Sequence, residues 1–253
     1  MSVGRAQLVT YLDELLCVDL FHDYTSNGLQ VEGTDQINVL CTAVTASLDA
    51  INQAISYHAD ALLVHHGYFW KGESPVITGM KRARMASLIT NNINLIAYHL
   101  PLDAHENYGN NVGLGKALGL TKIQSKAAMG QPDLLWSGQF KGPVSAQTLS
   151  NQLERILQRK PLVFNARNAD ISKVAWCTGG AQDLIELAHQ VGVDAFISGE
   201  VSERTYYIAN ELGIDYFASG HHATERFGVQ LLGEHLKNQF SVTHQFIDSA
   251  NPV

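Results

Sequence analysis

Six of the eleven histidines crowd into three short stretches: His65 and His66 in LLVHHGYFW, His99 and His105 in YHLPLDAHE, and His221 and His222 in SGHHATE. The second and third stretches also carry carboxylates, Asp103 and Glu225. Imidazole and carboxylate are the usual ligands of zinc, manganese, iron, nickel and cobalt, whereas the missing thiolates argue against a cysteine-rich structural zinc site. A lone histidine at a strand end usually serves a backbone carbonyl or caps a helix. It is the clustering that calls for another reason.

Spacing sharpens the chemistry. If HHATERFGVQLLGEHL opens a helix, His221 and Glu225 lie four apart on one face and can grip one cation, as paired ligands do in HExxH, while His222 points elsewhere. His65 and His66 are neighbours, which on a strand face opposite ways, but a turn at the strand end lets them serve adjacent ions; Gly67 would permit that turn. The set His65, His66, Asp103, His221 and Glu225 is too large for one tetrahedral site with an open position. Two ions roughly 3.5–4 Å apart, bridged by a carboxylate and a water, would use all of them. His99 and His105 are candidates to orient a ligand or to act as acid or base near neutral pH. Glu200, in ISGEVSE with Ser198 and Glu203, is either a general base or, the preferred reading, a helix cap. His22, His58, His189, His235 and His244 read as structural or solvent-facing.

These side chains need elements to bring them together. Leu8, Leu12, Leu15 and Leu16 recur at helical spacing, and short apolar runs then alternate with helical stretches, which predicts an α/β fold. Strands are expected near Val39–Val44, Ala61–His65, Ile93–His99, Val174–Cys177, Ala195–Ser198 and Ile214–Ser219. Polar sequence without a period near Thr121–Pro132 suggests a boundary, giving lobes 1–125 and 126–253 of related topology with mixed or mostly parallel sheets. DAINQAISYHADALLVHHG from Asp49 resembles DLIELAHQVGVDAFISGE from Asp183, each reading as helix then buried strand. Later strands end in INLIAYHLPLDAH and IDYFASGHHATE, so the polar clusters fall at carboxyl ends of strands, where ligands bind in open α/β sheets. A metal site between the lobes is the expectation.

Composition bounds the remaining classes. With 253 residues, 45% hydrophobic and 16% charged, the chain is ordinary globular protein. A net charge of −7 without a long basic run gives no footprint for duplex nucleic acid. No stretch reaches the roughly 20 apolar residues of a membrane span, and Asp13 and Glu14 make the amino terminus an amphipathic helix. Cys17, Cys41 and Cys177 are odd in number and widely spaced, which favours a reducing compartment, and the expectation is cytoplasmic.

NGLQVEG at Asn27, VHHGYFWKGESP at Val64, YHLPLDAH at Tyr98, CTGG at Cys177, DAFISGEVSE at Asp194 and GHHATER at Gly220 together resemble the Nif-three-like family, whose bacterial members are described as GTP cyclohydrolase I type 2 homologues. The resemblance runs over nearly the whole chain. It implies two α/β lobes, two divalent metal ions per subunit (zinc, iron, manganese or nickel), and a toroidal homohexamer built as a trimer of dimers. By motif, the ligands it implies are His65, His66, Asp103, His221 and Glu225. Two functions fit: a metal-dependent hydrolase of a small nucleotide-like substrate, or a non-catalytic hexamer that binds metal to regulate, store or scaffold. For the first, Tyr68, Phe69 and Trp70 would stack a base or, the favoured alternative, pack a loop or subunit interface. Lys71, Lys81, Arg82 and Arg84 would meet phosphates or form a solvated helix face.

Overall fold

A computed structural model describes residues 2–253. In chain order the strands are β1 (Val3–Gly4), β2 (Gly28–Val31), β3 (Gln36–Ile37), β4 (Val39–Thr45), β5 (Ala61–His66), β6 (Asn94–Ala97), β7 (Thr121–Ala128), β8 (Gln131–Val144), β9 (Leu162–Phe164), β10 (Ile171–Cys177), β11 (Ala195–Ser198), β12 (Asp215–Ala218) and β13 (Thr243–Phe246). The helices are α1 (Arg5–Leu15), α2 (Leu48–Ser56), α3 (Gly79–Thr90), α4 (Leu100–Ala104), α5 (Asn110–Ala117), α6 (Ala146–Leu157), α7 (Ile185–Gln190), α8 (Glu203–Leu212), α9 (His221–Thr224) and α10 (Arg226–Phe240). The fold is mixed α/β, as the alternation of apolar runs and helical stretches predicts. Among the described residues, no helix is long and apolar enough to cross a membrane.

The chain divides into two units. The first runs to Leu102 and resumes at Gly228–Ala250; the second comprises Asp103–Phe227 and Asn251–Val253. This differs from a division at 125 and 126, since Asp103 falls in the second unit and Gly228–Ala250 returns to the first. The physical reason is β13, which pairs in parallel with β4, Thr243 opposite Val39, so the end of the chain completes the first sheet.

In the first unit the sheet order is β13-β4-β5-β6-β2, parallel except for the antiparallel edge strand β2. The segment Ala61–Val64 of β5 is fully buried, the continuous apolar run of a parallel strand covered on both faces. Ser47 caps α2 by accepting the Ala50 N–H, and α2 turns Ala50, Ile51 and Ala54 inward. Leu62, Val64, Leu88 and Leu95 join them in one core.

In the second unit the order is β7-β8-β10-β11-β12-β9, with β10, β11 and β12 parallel and β8 and β9 antiparallel to their neighbours. Residues expected as a lobe boundary form the β7–β8 hairpin. Ala128 pairs with Gln131, leaving Met129 and Gly130 as a two-residue turn with φ of 54° and 72°, the left-handed pair that suits a type I′ hairpin. β7 is an edge strand exposed along most of its length, so no strong alternation of apolar residues marks it. On α6, capped by Ser145, the residues Ala146, Leu149, Leu153 and Leu157 recur at three- and four-residue steps and pack against Trp176 and Ile197.

Several hydrogen bonds recur at equivalent places in the two copies of the repeat read from the sequence. Asp60 Oδ2 accepts the N–H groups of Asn38 and Val39 before β4, and Asp194 Oδ2 accepts those of Ser172 and Lys173 in β10. Asn94 Oδ1 accepts the Gly33 N–H, and Asp215 Oδ1 accepts that of Arg167. Tyr98 N donates to Val64 O, and Ser219 N to Ser198 O. Strands β2, β4, β5 and β6 thus correspond in pairing to β9, β10, β11 and β12.

Candidate metal-ligand sites

In the first unit, β5 delivers His65 and His66 at its carboxyl end, Thr45 opposite His66 being the last registered pair with β4. Successive strand residues ordinarily diverge, yet these rings lie 4.6 Å apart between centroids, so the strand end does aim both to one side. Gly67 serves them by absence of a side chain rather than by a left-handed φ: a Cβ there would run into the Gln30 amide and come within 2.7 Å of Ala97 Cβ. That same amide accepts the Tyr68 N–H through Oε1 at 2.7 Å and donates to Tyr68 O, pinning the chain after the histidines.

Imidazole orientation is set by the groups behind each ring. His65 is fully buried, and its Nδ1 donates to the Tyr98 carbonyl at 3.0 Å, which leaves Nε2 as the nitrogen bearing a lone pair. His66 Nδ1 pairs with Thr45 Oγ1 at 3.2 Å. His99, just past β6, donates through Nδ1 to Asp23 Oδ1 at 2.9 Å, and its backbone N–H is held by Asn27 Oδ1 at 2.8 Å. Burial would raise the Asp23 pKa, but hydrogen bonds from His99, Asn27 and the Leu100 N–H outweigh it and hold the carboxyl below its ordinary value. One ring nitrogen from each of His65, His66 and His99 lies within 4.8 Å of the others, an arrangement that could hold a metal ion.

The aromatic run divides among three environments. Tyr68 is core, its hydroxyl donating to Ala46 O and pushed up to about 12 first by burial. Phe69 is 41% exposed at a φ of 66° under the Lys81 ammonium. Trp70 packs edge-on to His99 with centroids 5.1 Å apart and anchors its indole N–H on Gly67 O. Lys81 is engaged locally with Glu73 and Ser74 O.

In the second unit, Asp103 is buried and its Oδ1 accepts from Asn110 Nδ2 at 2.9 Å and Thr178 Oγ1 at 3.2 Å. Asn111 ties the same region to the end of β10, donating to Asp103 O and accepting the Thr178 N–H and the Trp176 indole N–H. The single helix expected over HHATER is interrupted, because α9 ends at Thr224 and Glu225 leaves the helical conformation at φ −101° and ψ 8° before α10 begins. His221 Nε2 nevertheless lies 3.2 Å from Glu225 Oε1, while Nδ1 lies 2.7 Å from Glu200 Oε1. Burial pulls the His221 pKa down, but the two carboxylates, Glu225 foremost, raise it to about 9. Gly179, at φ +68°, makes the cradle: a Cβ there would overlap Glu225 Oε1 and sit 3.3 Å from His221 Nε2.

Glu200 therefore braces an imidazole rather than capping α8, whose cap is Ser202. His105 is used locally, its Nδ1 accepting the N–H groups of Asn107 and Tyr108. His222 is buried with its N–H on Val253 O. Asp23, Asn110, Asn111 and Thr178 escaped the sequence reading. The NN pair inside α5, fully buried, was the one local signal. Burial, followed by the charges of Asp103 and Glu225, holds the Cys177 thiol well above its ordinary pKa, so the donors available are imidazole and carboxylate, a set suited to borderline divalent ions.

Residues 3–252 match the family described as Duf34/NIF3 (NGG1p interacting factor 3). A protein of Vibrio cholerae serotype O1 named GTP cyclohydrolase 1 type 2 homolog is 49% identical over 254 residues, covering 99% of this chain and 100% of the relative. A solved structure described as protein ybgI, of unknown function, superposes with a TM-score of 0.95 at 44% identity, covering 99% of this chain and 100% of that one. A crystal structure of a Thermus thermophilus protein gives a TM-score of 0.90 at 33% identity with the same coverage.

Proposed function

Because this chain belongs to the Duf34/NIF3 family, we propose that it is a divalent-metal-dependent hydrolase of a small nucleotide-like substrate. His65, His66, Asp103, His221 and Glu225 together would hold a pair of metal ions. The observation that carries this reading is the partly buried imidazole of His221 set between two carboxylates, Glu225 at 3.2 Å and Glu200 at 2.7 Å, the pattern by which proteins fix a metal-ligating histidine. His65 supports it in the same way, with Nδ1 committed to a backbone carbonyl and Nε2 presented. Bound divalent ions would supply Lewis-acid polarisation and activation of water. The residues of the chain supply orientation: Glu200 holds the His221 ring, Asn110 and Thr178 hold the Asp103 carboxylate, and Tyr98 holds the His65 ring.

The relatives' name brings GTP and related purine nucleotides forward as the first substrates to try. Metal content per chain in protein purified without added metal, followed by turnover of a nucleotide panel with manganese, zinc or iron, tests both parts. Asp103→Ala and Glu225→Ala should lose metal and turnover together. Turnover that survives both substitutions removes this centre from the chemistry, and metal binding without turnover of any nucleotide favours a regulatory or scaffolding role.

The assembly we propose is a homohexamer in the cytoplasm. Exposed apolar side chains at Val76, Ile77, Met80 and Ile89, 52% to 67% accessible, support association of copies. Free thiols at Cys17, Cys41 and Cys177 support a reducing compartment. Light scattering of the purified protein measures the first.

A further inference from the structure

We propose that Arg159 is a phosphate-binding residue, a guanidinium set beside Gly220 and His221 at the carboxyl end of β12, where it takes the anionic phosphate group of a phosphorylated small molecule. The inference rests on the reading of His221 as part of the functional site and deepens it, giving the substrate a phosphate and that phosphate a named partner.

The backbone brings Arg159 to this place. Strand β9 runs antiparallel to β12 with Leu162 opposite Ala218, the last residue of β12. The residues that lead into β9 therefore stand at the carboxyl ends of β10, β11 and β12, the end at which open α/β sheets bind ligands. Their link from α6 is short and held on both sides: Gln158 closes the helix in a left-handed conformation at φ 57°, and Pro161 is buried with its φ fixed by its ring. The ends of the three parallel strands are joined in a crest, where the Gly199 N–H donates to Gly179 O and the Gly220 N–H to Gly199 O, both at 2.9 Å. Gly220, at φ +97°, leaves room for the arginine, since a Cβ there would lie 2.5 Å from Arg159 Cδ and 2.6 Å from Nε. With consecutive Cα atoms about 3.8 Å apart, that sets Nε within about 8 Å of the His221 Cα. One small molecule can span the guanidinium and a group held at His221.

The charge of Arg159 is not used up by the fold. Its Nε is buried with no hydrogen-bond partner among the described residues, whereas buried polar groups are ordinarily paired. The acids at the same crest are committed elsewhere, Glu200 Oε1 and Glu225 Oε1 both contacting His221. Arg226 has a task of its own, its Nη1 reaching the Leu157 carbonyl at the end of α6. Lys160 is exposed and adds a second positive charge next to Arg159. A planar guanidinium matches two phosphate oxygens at once, which a lysine ammonium does not. By contrast Lys81, a phosphate candidate on sequence grounds, is engaged with Glu73 and Ser74 O in the first unit.

The test uses inorganic pyrophosphate as the probe, titrated calorimetrically into chelator-treated full-length protein at low ionic strength, so that no metal contributes. Wild type is expected to bind about one anion per chain, more weakly as salt rises. Arg159→Gln should weaken binding by about tenfold or more, and Arg159→Lys, which keeps the charge and loses the paired contact, by at least about threefold, with unchanged circular dichroism. In metal-loaded protein Arg159→Gln should raise KM for GTP with kcat little changed. No binding by wild type, or binding by Arg159→Gln within twofold of wild type, overturns the proposal; metal-dependent GTP turnover alongside either result leaves the hydrolase reading standing. Pyrophosphate bound through Arg159 by a protein that turns over no nucleotide sustains the anion site and removes the hydrolase reading instead. Should Arg159→Gln fail to fold, Arg159→Lys decides alone, equal affinity overturning the assignment.

Discussion

Gly179 is where backbone conformation and candidate ligands meet, and substituting it separates their contributions. Its φ of +68° is left-handed, and an added Cβ would overlap Glu225 Oε1 and lie 3.3 Å from His221 Nε2. Gly192 provides the control, with φ +74° and nothing within 4 Å of the position its Cβ would take. Gly192→Ala bears only the left-handed penalty, roughly 1–2 kcal/mol. Gly179→Ala bears that and also displaces the carboxylate from His221, forfeiting a charged hydrogen bond worth about 1.5–3 kcal/mol, for a sum of about 2.5–5 kcal/mol. Urea denaturation of chelator-treated protein measures both variants against wild type. Metal affinity is expected to match wild type in Gly192→Ala and to fall by roughly 10–100-fold in Gly179→Ala, the usual consequence of disturbing a ligand's supports. If the two alanine variants denature at the same urea concentration and bind metal alike, the reasoning that ties Gly179 to Glu225 and His221 is refuted.

Three further outcomes are expected. Native protein treated with iodoacetamide at pH 8 should be labelled at exposed Cys17 only, because burial pushes Cys41 to about 11 and, with the charges of Asp103 and Glu225, Cys177 well above its ordinary value; mass spectrometry showing native labelling of Cys177 contradicts this. In metal-free protein the raised His221 pKa makes its ion pairs with Glu225 and Glu200 a source of stability that is complete below pH 6.5 and lost as pH rises through about 9. Melting curves across that window should show wild type losing stability that His221→Asn never had, and parallel curves would contradict it. Asp60→Ala strands the N–H groups of Asn38 and Val39 and should cost about 1–3 kcal/mol by urea denaturation. Asp194→Ala, which strands those of Ser172 and Lys173, should cost a similar amount, and a cost for one without the other would break the correspondence between the two sheets.

Local pattern was enough to place the central strands. The buried parallel strands β4, β5, β6, β10, β11 and β12 all stand within a few residues of their expected positions, because a strand covered on both faces must be written as a continuous apolar run. The same holds for the internal repeat, since Asp60 and Asp194 do one job at equivalent strand starts and each lies eleven residues after its partner Asp49 or Asp183. The residue types that could do metal chemistry were equally legible, because imidazoles rarely gather by chance at strand ends.

Edges and partners were not legible. β7 has little to bury, so its residues read as a linker, and β13 joins β4 across some two hundred residues of chain with no local sign of its destination. Which imidazole a carboxylate supports is likewise a matter of chain reversal. Asp23 meets His99 from 76 residues away and Glu200 meets His221 from 21, and neither pairing leaves a periodicity to find. Sequence by itself determined which donors stand at the strand ends, because those positions follow from local burial. Tertiary structure alone decided which nitrogen each ring presents, because that depends on the hydrogen-bond acceptor the fold sets behind it.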